Sequence, residues 1–412
     1  MLYDTKSNEL KQYNEYLSMA RDSGDKGIQV DADVFYQKAL SVKPSLELYV
    51  EIGEFYKNMK QTKKAINWGN TILNVYPKMA SGYEFLMNIY IDRKDYVACF
   101  DLVETMEKRK ISSALVDEKK KTIEYEFFFN GEYIDAGIYS GEMCPVKIAD
   151  KWGYVNLTGD KVIASKFSKN GPFSGELAPV IDSDGNAFFI DPKGNKKHVV
   201  QGVENIKELG LIENDLFSLN NGESWGFYNK NNMFVFGEYE EVSSIGNGVA
   251  AVKSNGKWSL VDRNGKDTAG KTFENVAMDE KLVVYRNERL FVYYDSNYHM
   301  IDLSGKEIGS DKYESVRIFN DSSYAAVKIN GKWGFVDKDG NFKIDPTYED
   351  ARSFSNGLAA VKVSGKWGFI NENNEIVIQP QFDDSKDFNS NGCVFVLQKK
   401  DWKLLRLYKN NH

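Results

Sequence analysis

Residues 330–340 read NGKWGFVDKDG and residues 364–374 read SGKWGFINENN. Each string sets Lys-Trp-Gly-aromatic between a turn containing Gly and a turn of Asp or Asn, and its reading decides the fold. The Trp position recurs as Trp152, Ala187, Trp225, Trp258, Tyr298, Trp333, Trp367 and Trp402, with successive separations of 35, 38, 33, 40, 35, 34 and 35. Six of the seven tryptophans therefore stand in one column. The seventh, Trp68 in INWGNTI, is out of phase on helix-like sequence and is read as coincidence.

Around the column each unit repeats one pattern. A strand of the type LAAVKV meets a Gly turn, then KWGFI, then an Asp or Asn turn, a third apolar stretch such as EIVIQP, and a short Tyr/Phe-acidic-x-Ala/Val segment. Alternation of this length is strand-like, and turns such as DKDG, DRNG, DLSG and DPKG carry Gly where a hairpin needs a positive φ. Three strands, with room for a short fourth, fit one unit. Periods of this size mark propellers or solenoids.

The strings KWGYV, SWGFY, KWSLV, KWGFV and KWGFI, with GLAAVKVSGKWGFINENNEIVIQPQF, closely resemble the WG-repeat proteins of bacteria, over about 280 residues. The repeats at Ala187, Tyr298 and Trp402 deviate, the last being followed by Lys403 rather than Gly. The last repeat lacks its third strand, whereas IEYEFFFNGEYIDA (123–136) reads as an orphan third strand plus the short acidic segment. A ring can fasten its last blade with such a strand and so remove exposed edges. The expectation is about eight blades, with 123–130 paired against 402–408; an open β-solenoid is the alternative. In a blade, Trp buries a large area between neighbours, the following Gly admits a close backbone, and Asp or Asn bonds its own turn. Trp152, Trp225, Trp258, Trp333, Trp367 and Trp402 are thus expected to be structural; exposed, they would instead offer a stacking platform for sugars.

Up to about residue 127 the apolar period is helical, as in Leu46, Tyr49, Ile52, Gly53, Tyr56 and then Ala65, Ile66, Ile72, Leu73, with Pro44 and Pro77 at the breaks. A shift of 34 residues lays Tyr49 on Tyr83, Ile52 on Leu86, Tyr56 on Tyr90 and Ala65 on Cys99. With Pro77, these positions resemble tetratricopeptide repeats, although Met87 and Cys99 depart from the pattern. Residues 7–43, around Tyr16, Ala20, Phe35 and Ala39, look like a degenerate further pair. The expected organisation is α+β: a helical repeat domain over 1–122 and an all-β repeat domain over 123–412. The resemblance implies a concave face that binds a peptide or helix through Glu47, Val50, Glu54, Lys57, Glu84, Asn88 and Ile91. Docking onto the next domain is the plainer alternative.

Composition narrows function further. A formal charge of −7 and a pI near 5.4 argue against a general nucleic-acid surface. The N-terminus has no apolar leader region and no run reaches a membrane span, so a cytoplasmic protein is expected, with a secreted effector as the alternative. Cys99, Cys144 and Cys393 are dispersed and form no CxxC, which indicates neither a disulfide framework nor a thiolate metal site.

Several strings imitate chemistry. GKDTAGKT (265–272) fits the phosphate-loop pattern, but in repeat phase it overlies a third strand. Asp182–Asn186 and Asp337–Asn341 are similar to fragments of calcium loops without the closing Glu, and read as turns. His198, His299 and His412 are scattered. Glu240-Glu241, Glu349-Asp350 and Asp383-Asp384 fall at one repeat phase, as a solvated rim would. No catalytic, cofactor or metal residue is assigned. The expected role is a non-enzymatic scaffold with protein partners, the alternatives being a carbohydrate-binding module or an enzyme with its site in the ring's channel. The breaks at Ala187, Tyr298 and the insertion before His299 are where function is to be sought, because a ring needs none of them to fold.

Overall fold

The computed structural model describes residues 2–320 and 322–410, with side chains from Ser7 onward, so His412 lies outside the described residues. The chain divides into two compact units, one ending at Glu126 and one spanning Phe127–Asn410.

The first unit holds α1 (Leu2–Asp25), α2 (Gln29–Val42), α3 (Leu46–Asn58), α4 (Thr62–Val75), α5 (Ala80–Asp92), α6 (Tyr96–Arg109) and α7 (Ala114–Ile123). The 34-residue period is written into the helix starts. α3, α5 and α7 begin at 46, 80 and 114, and α4 and α6 at 62 and 96. Side-chain caps set three of these starts: Ser45 accepts from the Leu48 amide, Asp95 from Ala98 and Ser113 from Val116. The turns at Lys60 and Lys94, also one period apart, take the left-handed conformation that ends a helix. Gly53 lets α3 meet α5, since a Cβ there would lie 2.8 Å from the Phe85 ring. In the first pair the buried anchors are Leu17, Ala20, Tyr36 and Ala39, and Phe35 is only half-buried. The expected anchor thus moves by one residue.

The second unit is a ring of eight antiparallel sheets. Blades 1 to 7 occupy 135–167, 169–199, 208–239, 241–262, 275–301, 315–348 and 350–382; blade 8 occupies 384–407. Blade 8 takes its outer strand from Phe127–Tyr133, which pairs antiparallel with Asp401–Leu407 from Phe127↔Leu407 to Tyr133↔Trp402. The ring therefore closes as the repeat phase requires. The closing strand starts at Phe127 rather than at residue 123, because Ile123 still belongs to α7.

Blade 7 shows the common plan: Asp350–Ala351, Leu358–Val363, Lys366–Asn371 and Ile376–Phe382, hydrogen-bonded in chain order. The short acidic segment that closes each sequence unit thus opens the next structural blade. Six sheets have four strands, whereas blades 4 and 5 have three. Their outer segments meet the neighbouring strand through the isolated bridges Trp258↔Phe273, Val261↔Asp267, Tyr298↔Tyr313 and Ile301↔Glu307 and through the Thr268 and Ile308 amides, which donate to the Leu260 and Met300 carbonyls.

Apolar cores lie between blades rather than within them. Between blades 8 and 1, Phe395, Trp402 and Leu404 pack with Ala136, Tyr139, Cys144, Val146 and Val155. Trp258, Trp333, Trp367 and Trp402 are buried in this way, while Trp152 and Trp225 are half-buried. The column is structural at four positions and partly open at two. At the deviating positions Ala187 is buried opposite Ile181, and Tyr298 sets its ring edge-on to Tyr293 at 5.0 Å.

The Gly after Trp has a specific cause. A Cβ on Gly153, Gly334 or Gly368 would stand 2.5–2.6 Å from the carbonyl oxygen of Ile163, Ile344 or Ile378, where the outer strand bulges toward it. Blades 4 and 5 have no regular outer strand, and there the position is Ser259 and His299. The imidazole of His299 fills the space, stacked on Tyr294 at 3.9 Å.

Candidate functional site in the channel of the ring

Two repeated features make the blades and leave the axis as the place where they differ. In the first, Asp182, Asp191, Asp262, Asp302 and Asp337, or Asn156, Asn229, Asn371 and Asn389, turn one side-chain oxygen onto the amides two and four residues ahead. The calcium-like strings are members of this set. In the second, Glu240, Glu314, Glu349 and Asp383 accept amides of the following hairpin turn, at Gly256, Gly331, Ser364 with Gly365, and Lys399. The first acid of each pair is therefore a turn clamp rather than a merely solvated rim charge.

The phosphate-loop string is likewise absorbed by the fold, though differently from the expectation. Residues 265–272 form no strand, because blade 4 lacks its outer one. The amides of Ala269 and Gly270 donate to the Asp267 carboxylate and Lys271 Nζ to the Gly305 carbonyl, so the groups that would cradle a phosphate are occupied. No helix follows the string, as a phosphate loop requires.

The axis is built by residues just after each blade's opening strand, or in blade 3 within it. One position there, 15 or 16 residues before the Trp column in most blades, is Gly137, Gly171, Gly210 and Ser243 in blades 1–4 and Arg317, Arg352 and Lys386 in blades 6–8. Blade 5 has Ala277, followed by the insertion that makes its step to Tyr298 the longest. Thirteen residues, 277–289, separate its first two strands, against six (243–248) in blade 4 and eight (317–324) in blade 6.

The insertion folds into a tight turn across the channel. Asp279 Oδ1 accepts the amides of Lys281 and Val283, its Oδ2 accepts Arg286 Nε at 3.0 Å, and the Leu282 carbonyl accepts the Ser244 amide. At its tip Glu280 reaches blades 7 and 8, with Oε1 3.0 Å from Arg352 Nη1 and Oε2 3.0 Å from Lys386 Nζ. Lys281 Nζ donates to Ser140 Oγ of blade 1 at 3.1 Å. Asp387 stands 4.0 Å from Arg352. Three carboxylates thus meet at the axis, each beside a cation. Lys386 and Arg317 also lie over the Trp402 and Trp333 rings at 5.0 and 5.3 Å, which ties the cationic arc to the structural column.

The electrostatics follow from this pairing. Burial works against the charge of Glu280, but the attraction of Lys386 and then Arg352 more than offsets it, holding the carboxyl below the ordinary Glu range. Burial instead raises Asp387, and Arg352 offsets that only in part. Of the three cavities beside the turn, two are lined by Glu280. One of about 180 Å³ is lined by Met278, Glu280, Arg317, Arg352, Ser353 and Asp387 among others. The other, about 370 Å³, lies on the small-residue side between Trp152, Pro172, Pro179, Leu211 and Leu282.

The helical candidates belong to the first unit. Glu47, Val50, Glu54 and Lys57 lie along α3, and Glu84, Asn88 and Ile91 along α5, with Val50, Glu54 and Lys57 one period from Glu84, Asn88 and Ile91. Glu47 is exposed and the other six are half-buried. Glu54 pairs with Lys57 at 3.6 Å, and Glu84 accepts the Ser113 hydroxyl at 2.6 Å. The axial residues Glu280, Arg352, Lys386 and Asp387 were not singled out from sequence. Two signals could have found them: the column that changes from Gly to Arg or Lys halfway round the repeat, and the 40-residue step.

Among the described residues no helix is long and apolar enough to cross a membrane, and no group of three or more His, Cys, Asp or Glu is arranged to hold a metal ion. The family model described as WG containing repeat matches residues 152–184, 225–258, 300–333, 333–367 and 367–402. No curated protein matches the chain. Solved structures similar to it include BamB from Moraxella catarrhalis, at 12% identity over 68% of this chain and 99% of that one, with a TM-score of 0.43. The C-terminal WD40 domain of Sif2 is similar at 8% identity over 68% and 98%, TM-score 0.44. Hsv2p of Kluyveromyces lactis follows at 10% over 60% and 96%, TM-score 0.40.

Proposed function

We propose that the chain is a non-enzymatic, cytoplasmic protein-interaction scaffold with two binding surfaces. One is the tetratricopeptide-like face of the helical domain and the other belongs to the propeller. The observation that carries this reading is the state of the polar centre of the ring. Asp279 is engaged by Arg286 and Glu280 by Arg352 and Lys386, so neither carboxylate stands free to act as a general acid or base. In the helical domain, by contrast, the columns Glu54–Asn88 and Lys57–Ile91 run across adjoining helices with half-exposed side chains.

The test is quantitative capture by the tagged full-length chain from a lysate of the encoding organism, beside a Glu54→Arg/Asn88→Arg variant. A protein retained by the wild type and lost with the variant is the expected result. Retention of the same proteins by both would refute the helical surface. A second reading, binding of a carbohydrate, is favoured by one observation: Trp152 is half-buried and forms a wall of the 370 Å³ cavity. Glycan-array binding abolished by Trp152→Ala would establish it, and an array without signal would discard it.

A further inference from the structure

We propose that the cationic half of the channel is a carboxylate-binding site that Glu280 occupies as an internal placeholder, and that an acidic ligand binds there by displacing it. The inference goes beyond the scaffold reading and does not depend on the helical surface.

Three observations converge on it. The first is the asymmetry of the axial column: Arg317, Arg352 and Lys386 on three consecutive blades face an arc of Gly, Ser and Ala on the others. A ring held together by packing alone needs no such arc, because blades 1–4 close with small residues at the same position. The second is the occupant. Glu280 does not come from a neighbouring blade but is carried in on the one long insertion, and its two oxygens are divided between a guanidinium and an ammonium at 3.0 Å each. That is how a bound carboxylate is recognised, by charge-assisted donors on both oxygens.

The third is unfinished hydrogen bonding beside room for a ligand. The 180 Å³ cavity next to Glu280 is lined by Arg317, Arg352, Ser353 and Asp387. Within this wall the buried Arg352 Nε, a donor, has no hydrogen-bond partner, although buried polar atoms are nearly always satisfied. A ligand carboxylate could accept from Arg352 at Nε, which Glu280, placed on Nη1, does not reach. While Glu280 is in place, the lining carries Asp279, Glu280 and Asp387 against Arg317 and Arg352, so a second anion is repelled. With Glu280 withdrawn, Arg352 and Lys386 are left facing Asp387 alone, 4.0 Å from Arg352, while Arg317 stays paired with Asp350, so the site carries a net positive charge and attracts one. The turn that carries Glu280 is held by Asp279 and Arg286, so only the Glu280 side chain has to move.

The carboxylate could belong to a free small acid or to an acidic side chain of a peptide, and the experiment separates them. Succinate, sulfate and a capped Glu-containing peptide are titrated calorimetrically into the full chain as wild type, Glu280→Gln and Glu280→Gln/Arg352→Gln. Gln keeps the volume and removes the charge of the placeholder. Succinate or the peptide is expected to bind Glu280→Gln at least tenfold more tightly than the wild type and to lose that gain in the double variant. The tighter of the two identifies the source. A folded Glu280→Gln protein that binds neither, binds sulfate equally well, or binds as well without Arg352 would overturn the proposal. Should Glu280→Gln fail to fold, the same titration of Glu280→Asp decides. This change keeps the charge and draws it back by one methylene, so tighter binding than wild type supports displacement and unchanged binding refutes it.

Discussion

Replacing Gly368 with Ala tests whether the Gly of the repeat is demanded by the bulge of the outer strand. An added Cβ would lie 2.6 Å from both the Ile378 oxygen and the Pro380 nitrogen and 2.8 Å from Pro380 Cα. All three are backbone atoms, which cannot rotate aside as a side chain would. Overpacking of this kind costs roughly 1–3 kcal/mol, and rigid neighbours place it in the upper half of that range. The smaller conformational freedom of Ala in the unfolded chain returns about 0.4–1 kcal/mol, leaving a net loss of roughly 1–2.5 kcal/mol. The internal control is Ser259, at the same repeat position in blade 4, where no regular outer strand approaches. Ser259→Ala should change stability by no more than about 0.5 kcal/mol. Urea denaturation followed by tryptophan fluorescence gives both values from the shift in midpoint at constant slope. The reasoning fails if Gly368→Ala loses less than about 0.5 kcal/mol, or if Ser259→Ala loses as much as Gly368→Ala.

Two more outcomes follow from the ring. Tyr133 closes it: the residue is buried opposite Trp402, edge-on to Phe395 at 5.5 Å, and its hydroxyl donates to the Gly159 carbonyl at 3.1 Å. Tyr133→Ala should cost roughly 3–5 kcal/mol and expose the blade 8 edge to hydrogen exchange; an exchange pattern like that of the wild type would contradict closure by this strand. In the hairpin turns, burial pushes the Asp337 carboxyl up, but the amides of Asn341 and Asp339 and the Asn341 side chain hold it below the ordinary Asp range. A depressed folded value means that its contribution is present above about pH 4 and is lost as pH falls through the folded pKa. Asp337→Asn, the residue type found at Asn156 and Asn371, should therefore match the wild type at neutral pH and lose less stability in acid. Parallel acid-unfolding curves for the two proteins would refute the turn role.

How far the sequence could be read depends on which contacts fixed each feature. The blade hairpins were legible because a strand's side chains alternate and a positive-φ turn must be supplied locally. The closure was legible because a missing strand at one end and a spare one at the other are both visible in the repeat phase. The count of strands in blades 4 and 5 was harder: Ser259 and His299 stand in place of Gly there, but so do Phe188 and Lys403 in blades 2 and 8, which keep four strands. The GKDTAGKT string was placed in a strand because its phase was trusted over its composition. Asp267, which turns the Ala269 and Gly270 amides away from pairing, reversed that. The acidic pairs were seen as a set, but their clamp on the next hairpin spans 15–17 residues and needs coordinates.

The sequence by itself determined the period of 34 in the helices and of about 35 in the blades, the tryptophan column and the strand that closes the ring. Local backbone geometry and repeated packing write such features into every unit. Only the tertiary structure decided what the irregularities do. Glu280 meets Arg352 and Lys386 across 72 and 106 residues, and Lys281 meets Ser140 across 141. No spacing rule links residues so far apart. They are neighbours because a closed ring brings the start of every blade to one axis, where charges too distant along the chain to form a motif stand within hydrogen-bonding reach.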